Sequence, residues 1–440
     1  MHEAIADSLA SLAFKLQSEV SYGANQMLIR QSLIDAIGSA IAGYDSPVAK
    51  IAMEFARIGL GKGDLSPWFF QAETVTPTAA AFVNSSVMSS LDIDDGNRAA
   101  RGHLGAAVIP AATAFGAIRD VSAEVFAHAI LAGCEIGARL GAAESKPFSA
   151  SGRWAGVGAA VAAGVCLGLD QSELSNAISL AAHTAPLVAP AGSRSAMTGH
   201  IKEAVPFGML SGVTAALLAQ KGYRGDPDAI ESVGIYDVAT LADFPATTFA
   251  FKRTYFKRYT CCRLAHAPID AALAIVERER LTVNDIARVT VRTFRTAIEL
   301  PNETRPASFE SAQYSLPFAI AVAVLGGSDA LLPLSNDSLL DERIFALAER
   351  VVLMHDPTLD DHYPVSTPTE VSIATRDGAV FYEWRETADG DPGRPFTDKQ
   401  LIEKVRTLAS GKIDGAHLTT IIASIESKIP SAKDFDAALR

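Results

Sequence analysis

Cysteine is scarce in this chain: Cys134, Cys166, Cys261 and Cys262 are all there is, and none forms a Cys-x-x-Cys pair. That argues against a disulfide framework and against a cysteine-based zinc or dithiol centre. Basic charge is short as well. With 38 Lys and Arg against 50 Asp and Glu, a net charge of -12 and an isoelectric point near 5.3, the chain lacks the cationic surface that neutralises phosphates, so a nucleic-acid partner is not expected. No apolar run is long enough to span a bilayer comfortably. The most apolar one, AGVGAAVAAGVCLGL at 155 to 169, falls short of the roughly 20 residues required and reads as a closely packed buried helix. Residues 1 to 30 lack a charged segment followed by an apolar core, so no membrane partner or secretory signal is expected and the cytoplasm is the default. Gly-x-Ser-x-Gly, the phosphate-binding loop and the dinucleotide fingerprint are missing too, since Gly156 to Gly168 opens no βαβ unit.

What is present is a globular chain, 49% hydrophobic and 20% charged, whose 440 residues exceed one ordinary core. Apolar residues recur at helical spacing over 4 to 19, 27 to 42, 77 to 88, 108 to 118, 123 to 142, 155 to 169, 171 to 182 and 202 to 220. Pro77 suits a first helical turn, and Lys221-Gly222 a helix end. The pattern changes near residue 287. Arg288 to Thr293 alternates apolar and polar, and Glu370 to Glu383 is two alternating runs around Asp377-Gly378, a hairpin signal. Helical segments at 309 to 326 and 342 to 351 lie between. From Thr397, which with Gln400 fits a capping box, the helical period returns. The expectation is a strand-bearing unit over about 275 to 395, inserted in a helical protein made of 1 to 274 and 396 to 440.

Three stretches concentrate chemistry. Between apolar, small-residue flanks, Ala79 to Ala112 packs Asp92, Asp94, Asp95, Asn97, Arg98, Arg101 and His103. Charges drawn toward a core need partners or a purpose, so this reads as one wall of a polar pocket, with a carboxylate orienting or activating a histidine. The plainer alternatives are a solvated loop and aspartates that cap helix starts. No metal is expected, because no second acidic motif completes a magnesium site and the spacing fails as a calcium loop. The second stretch, FKRTYFKRYTCCRLAH at 251 to 266, gathers Lys252, Arg253, Lys257, Arg258 and Arg263 in an otherwise acidic chain, the local exception a small anionic substrate would need. Cys261 and Cys262 there are more simply buried small hydrophobes. The third is GHIKEAVPFGMLSG at 199 to 212, where Lys202 enters an apolar helix near its start and would welcome an anion.

In order along nearly the whole chain, LIDAIGSAIAG (33 to 43), AAFVN with LDIDD (80 to 95), GHLGAAVIPAA (102 to 112), GVGAAVAAGVCLGLD (156 to 170), IKEAVPFGMLSGVTAALLA (201 to 219), KRYTCCRLAH (257 to 266) and YSLPFAIAVAVLGG (314 to 327) resemble the blocks of the MmgE/PrpD family. That family includes 2-methylcitrate dehydratase, cis-aconitate decarboxylase and iminodisuccinate epimerase. The resemblance implies a mainly α fold, with a large all-helical domain built from both chain ends and a smaller inserted α+β domain. It implies a homodimer that needs no cofactor and removes a proton beside a carboxylate of a small polycarboxylic acid. It places Asp92 and His103 as the proton-handling pair, Lys202 and Lys257 as lysines of the site, and His266 as a further histidine lining it. Arg101, Asn97 and Ser149 join His266 as candidate substrate contacts.

The departures bear on the reaction. The family's usual His-Pro is His103-Leu104 here, its Thr after the paired aspartates is Gly96, and two frequent histidines are replaced by Ser89 and Ser149. Where decarboxylase-like members carry a tyrosine after Leu-Pro, this chain has Phe318. The leading expectation is a cofactor-independent lyase of the dehydratase kind. An epimerase-like isomerase is one alternative, since the loop ending Arg101-Gly102-His103 resembles the epimerase; a noncatalytic carboxylate- or partner-binding homologue is the other.

Overall fold

A computed structural model describes residues 4–21, 23–145, 151–186, 199–242, 244 and 249–440. The fold is mainly helical, with two small sheets. The first part of the chain supplies α1 (Ile5–Lys15), α2 (Gly23–Gly43), α3 (Pro47–Phe55), α4 (Pro77–Ser89), α5 (Gly105–Arg119), α6 (Ala123–Ala142), α7 (Gly152–Leu167), α8 (Gln171–Thr184) and α9 (Val205–Gln220). Their starts follow local chemistry. Thr76 accepts the Ala79 N–H ahead of Pro77 in α4, Ser122 does the same for Val125 in α6, and Asp170 with Glu173 forms a complete capping box for α8. The helix α6 is long and apolar enough to cross a membrane, but 89% of that stretch is buried within this fold.

Small residues set the packing distance between α7 and α9. A Cβ on Gly208 would lie 1.8 Å from the Gly152 carbonyl oxygen, and one on Gly212 would lie 2.0 Å from that of Gly156. The two backbones therefore touch with no side chain between them.

The second part begins with α10 (His266–Glu279) and carries a four-stranded sheet of order β4-β3-β5-β6, made of β3 (Ile286–Thr293), β4 (Val351–His355), β5 (Thr369–Thr375) and β6 (Val380–Arg385). The strands β3 and β4 are parallel, while β5 is antiparallel to both β3 and β6. Alternation puts Val289, Val291, Val371 and Ile373 on one face, all 0% exposed, against α10 and α11 (Leu316–Gly326). The hairpin turns at Gly378, whose φ of 93° only glycine adopts freely.

Two differences from the sequence reading have local causes. The helix expected over 309 to 326 is broken, because Ser315 is extended and caps α11 by accepting the Phe318 N–H, with Pro317 in the first turn. The helix expected over 342 to 351 is α12 (Glu342–Ala348), and the apolar run that follows it is the parallel edge strand β4. Short apolar runs carry no period that separates strand from helix.

The last helices, α13 (Asp398–Ala409), α14 (Gly415–Glu426) and α15 (Ala432–Ala438), return to the first core, where Leu401, Val405, Ile421 and Phe435 are buried with residues of α2, α4 and α6. An ion pair marks the junction. Lys404 reaches Asp35 of α2 at 2.6 Å and the Ile93 carbonyl at 2.9 Å, with both side chains buried. Breaking such a pair on one side strands a buried charge, a loss of about 3–5 kcal/mol.

Candidate active site

The site is built on the loop between α4 and α5. Asp92 has a left-handed backbone, φ 55°, and Lys257 fixes it there by donating to its carbonyl at 2.9 Å and pairing with its Oδ1 at 3.0 Å. Three residues on, Asp95 Oδ1 accepts the Gly105 N–H at 2.9 Å, a carboxylate at the positive end of α5. Residue 105 must be glycine for this, since a Cβ would come within 2.6 Å of that oxygen. Gly96–Asn97 (β1) then pairs with Thr254–Tyr255 (β2), which brings the basic stretch of the second constellation against the acidic loop.

His103 closes the loop. Its Nδ1 lies 2.9 Å from the Asp95 carbonyl and 2.9 Å from Asp94 Oδ2; its Nε2 lies 3.3 Å from Asp92 Oδ1 and 3.9 Å from Glu203 Oε1. Two acceptors at 2.9 Å hold Nδ1, and the longer contacts of Nε2 leave it as the nitrogen placed to exchange a proton with the cavity. Burial alone would favour the neutral ring. The Asp94 carboxylate outweighs it with help from Asp92, so His103 titrates well above its ordinary range and is an imidazolium at neutral pH. Burial also pushes the Asp92 carboxyl up, but Lys257, the His103 hydrogen bond and Lys202 together hold it far below the usual carboxylate range. Asp95 goes the other way. Burial and the neighbouring Asp35 and Asp94 raise it to about 7. Such opposed shifts within one cluster are typical of functional sites.

Lys202 and Glu203 approach from the start of α9. The helix expected from Lys202 starts instead at Val205, because Lys202 and Ala204 are left-handed, φ 39° and 52°. That turn sends the Lys202 ammonium into the protein, where it donates to the carbonyls of Ser89 at 2.6 Å and Ser90 at 3.2 Å and to Gln313 Oε1 at 3.1 Å. Two of its hydrogens are therefore used on the end of α4 and the third on Gln313. Glu203 borders both cavities beside His103. It accepts from the Ser151 hydroxyl, which itself accepts the His103 backbone N–H at 3.0 Å.

His103 lines two adjoining cavities. The smaller holds Ser89, Asp94, Lys202 and Glu203; the larger, about 390 Å³, holds Arg98, Arg101, Glu203, Tyr255, Lys257 and Arg263, and Asp92 and Tyr314 face both. Cations from distant parts of the chain thus face a histidine and carboxylates from one loop. Asp92, Asp94 and His103 each offer a ligand atom within 4.8 Å of the others and are the residues that could hold an oxygen-preferring dication. The Lys257 ammonium, 3.0 Å from Asp92 Oδ1, would repel it.

Of the residues singled out from sequence, Asp92, His103, Lys202 and Lys257 stand together. Arg101 lies at the wall of the larger cavity, where its guanidinium donates to the carbonyls of Gly141 at 3.2 Å and Glu144 at 3.1 Å. Asn97 borders the same cavity, but its side chain donates to the Ala250 carbonyl at 2.9 Å and accepts the Ala100 N–H at 3.1 Å, which fixes the loop's shape. His266 is fully buried behind Arg263, with Nε2 3.2 Å from the Cys261 carbonyl, and does not border either cavity. Burial, Arg263 and Lys257 hold it well below its ordinary pKa, so it is a neutral packing group in this arrangement. Ser149 lies outside the described residues. Phe318 packs in the second core, 6.1 Å from Phe345, and does not border either cavity.

Glu203, Tyr255 and Tyr314 were not singled out from sequence, and Asp94 and Arg263 were named in the charged stretches without a role of their own. Two signals were there: Glu203 adjoins Lys202, and Arg263 sits in the basic run. Gly96, where the family usually has Thr, has a physical cause, because a Cβ there would fall 2.3 Å from the Tyr255 hydroxyl.

Comparison with known proteins gives two matches to family descriptions, the MmgE/PrpD N-terminal domain over residues 4–245 and the MmgE/PrpD C-terminal domain over 259–427. Among curated relatives, cis-aconitate decarboxylase of Homo sapiens is 24% identical over 90% of this chain and 86% of its own length. Cis-aconitate decarboxylase of Aspergillus terreus is 26% identical over 78% of this chain and 77% of its own. The 2-methylcitrate dehydratase of Salmonella typhimurium is 28% identical over 44% of each.

Proposed function

The chain belongs to the MmgE/PrpD family, and from that premise we propose that it is a lyase acting on a small di- or tricarboxylic acid at carbon beside a carboxylate, without a metal or organic cofactor. The observation that carries this reading is His103, held at Nδ1 by Asp94 and the Asp95 carbonyl while Nε2 faces the cavity between Asp92 and Glu203. Both reactions named among the relatives, a decarboxylation and a dehydration, need a proton delivered at the reacting centre. An imidazolium supplies it.

Dehydration is the reaction we favour, because it needs a proton acceptor and a proton donor together. Glu203 takes the proton from carbon, the electron pair left behind forms the double bond, and His103 gives its Nε2 proton to the departing hydroxide, which leaves as water. Asp92 is a poor base for the first step, since Lys257 stabilises its charge. Lys257 and Arg101 hold substrate carboxylates and stabilise the negative charge that develops on the carbon. Lys202 shapes the site by fixing the end of α4. The protein works as a homodimer in the cytoplasm on this reading, as the family resemblance implies.

Incubation with 2-methylcitrate, cis-aconitate and a panel of hydroxy- and amino-polycarboxylates in deuterium oxide, followed by proton NMR, tests the proposal. An unsaturated or decarboxylated product from at least one acid is expected. Exchange of the carbon-bound proton without product would instead make the protein an isomerase. No exchange and no product from any acid that binds would contradict an enzymatic role.

A further inference from the structure

The larger cavity holds, away from His103, an arrangement that the proton chemistry does not use. Tyr255 stands opposite Gly96 in the β1–β2 ladder. An ideal Cβ on residue 96 would meet the Tyr255 hydroxyl oxygen at 2.3 Å and its Cζ at 2.4 Å, so the phenol tip lies directly over the glycine backbone. Two guanidiniums lie over the ring. The guanidinium carbon of Arg98 lies 5.0 Å from its centre and that of Arg263 lies 4.8 Å away. Both arginines turn to a single carboxylate: Arg98 donates to Asp391 at 2.7 and 2.6 Å, and Arg263 pairs with it at 2.8 Å.

Two guanidiniums share this one paired carboxylate, and Asp270 is a further acidic group that interacts with Arg263. Their remaining hydrogen-bond partners are neutral: Thr367 for Arg98, and the carbonyls of Phe256, Ala388 and Asp389 with the neutral His266 ring for Arg263. Moreover, Arg263 Nε is buried and has no partner among the described residues. Burial raises the Tyr255 hydroxyl above its ordinary range despite the nearby cations, so it stays protonated and can donate. Tyr255, Arg98 and Arg263 all border the cavity that His103 and Lys257 border.

We propose that Tyr255, backed by Arg263, is a carboxylate subsite of the active cavity, set apart from the proton-transfer group, and that residue 96 is glycine because the phenol occupies the space of its side chain. The inference rests on the reading of this cavity as the active site. A substrate carboxylate there accepts the phenol hydrogen bond beside the two guanidiniums, which fixes the reacting carbon relative to His103. Specificity follows: the enzyme selects acids that place a carboxylate at this subsite while another reaches Lys257.

Titration calorimetry of the full chain with citrate and with succinate tests this, alongside the Tyr255→Phe, Gly96→Ala and doubly substituted proteins. Tyr255→Phe should raise Kd for the acid that binds by about tenfold or more, the loss expected for a hydrogen bond to a charged group. Gly96→Ala, which pushes the phenol aside, should weaken binding similarly, and should add little once the hydroxyl is already gone. Because Tyr255→Phe keeps the ring and its packing, it folds. Its binding the acid as wild type does would overturn the subsite while leaving the lyase reading intact. Failure of wild type to bind either acid would overturn both.

Discussion

Replacing Gly208 by alanine tests how the scaffold sets the site. A Cβ at that position would lie 1.8 Å from the Gly152 carbonyl oxygen, and real Cβ contacts start near 3.0 Å, so α7 and α9 must part locally by roughly 1.2 Å. The obstacle is not a side-chain end that can swing away; it is the helix backbone of Gly152. Overpacking of this kind costs about 3 kcal/mol, at the upper end of its usual range. The strain also reaches the chemistry. Gly152 N–H donates to the Glu203 carbonyl at 2.9 Å, and Ser151 links Glu203 to the His103 backbone. A displacement of about 1 Å at such a contact can cost about a hundredfold in rate. Urea unfolding followed by circular dichroism should give a midpoint well below that of wild type, and turnover measured below the transition should fall by at least about tenfold. An unchanged midpoint would refute the argument, since it would mean the helices separate without cost.

Two further substitutions test the electrostatics. Asp94→Asn removes the carboxylate that most favours the His103 imidazolium, so the ring's titration, followed by NMR, should move to lower pH. If the imidazolium is the active form, the rate falls as pH rises through its pKa and this alkaline limb should move down with it; a ring that titrates as in wild type would mean that Asp94 does not set its charge. Asp95→Asn concerns stability. Because Asp95 is raised to about 7 in the folded protein, its ionisation weakens folding progressively from pH near 4, its unfolded value, to about 7. The amide can still accept the Gly105 N–H. The variant should therefore gain stability over wild type by an amount that grows across that interval and then levels at a few kcal/mol; equal gains at pH 5 and pH 8 in denaturant unfolding would contradict the assignment.

The helical frame was legible in the sequence because helix signals are local: the capping box at Thr397, the proline of α4 and the Asp377-Gly378 turn each act within a few residues. The acidic loop was legible for a related reason, since a dense run of charge between apolar flanks needs a purpose. What was hidden depends on convergence. Nothing near Tyr255 announces that its ring will replace a side chain at position 96, 159 residues earlier in the chain. Likewise, the placing of Lys202 and Glu203 at the site follows from two left-handed residues, Lys202 and Ala204, that no apolar period predicts. The strand β4 was obscured by its own brevity.

The central claim is that His103 transfers the proton. NMR in deuterium oxide of wild type and His103→Ala, with whichever polycarboxylic acid the wild-type protein turns over, tests it directly. The account predicts that the variant still binds the acid but forms no product, because the departing hydroxide lacks its proton donor. Product formation by His103→Ala at the wild-type rate would contradict it.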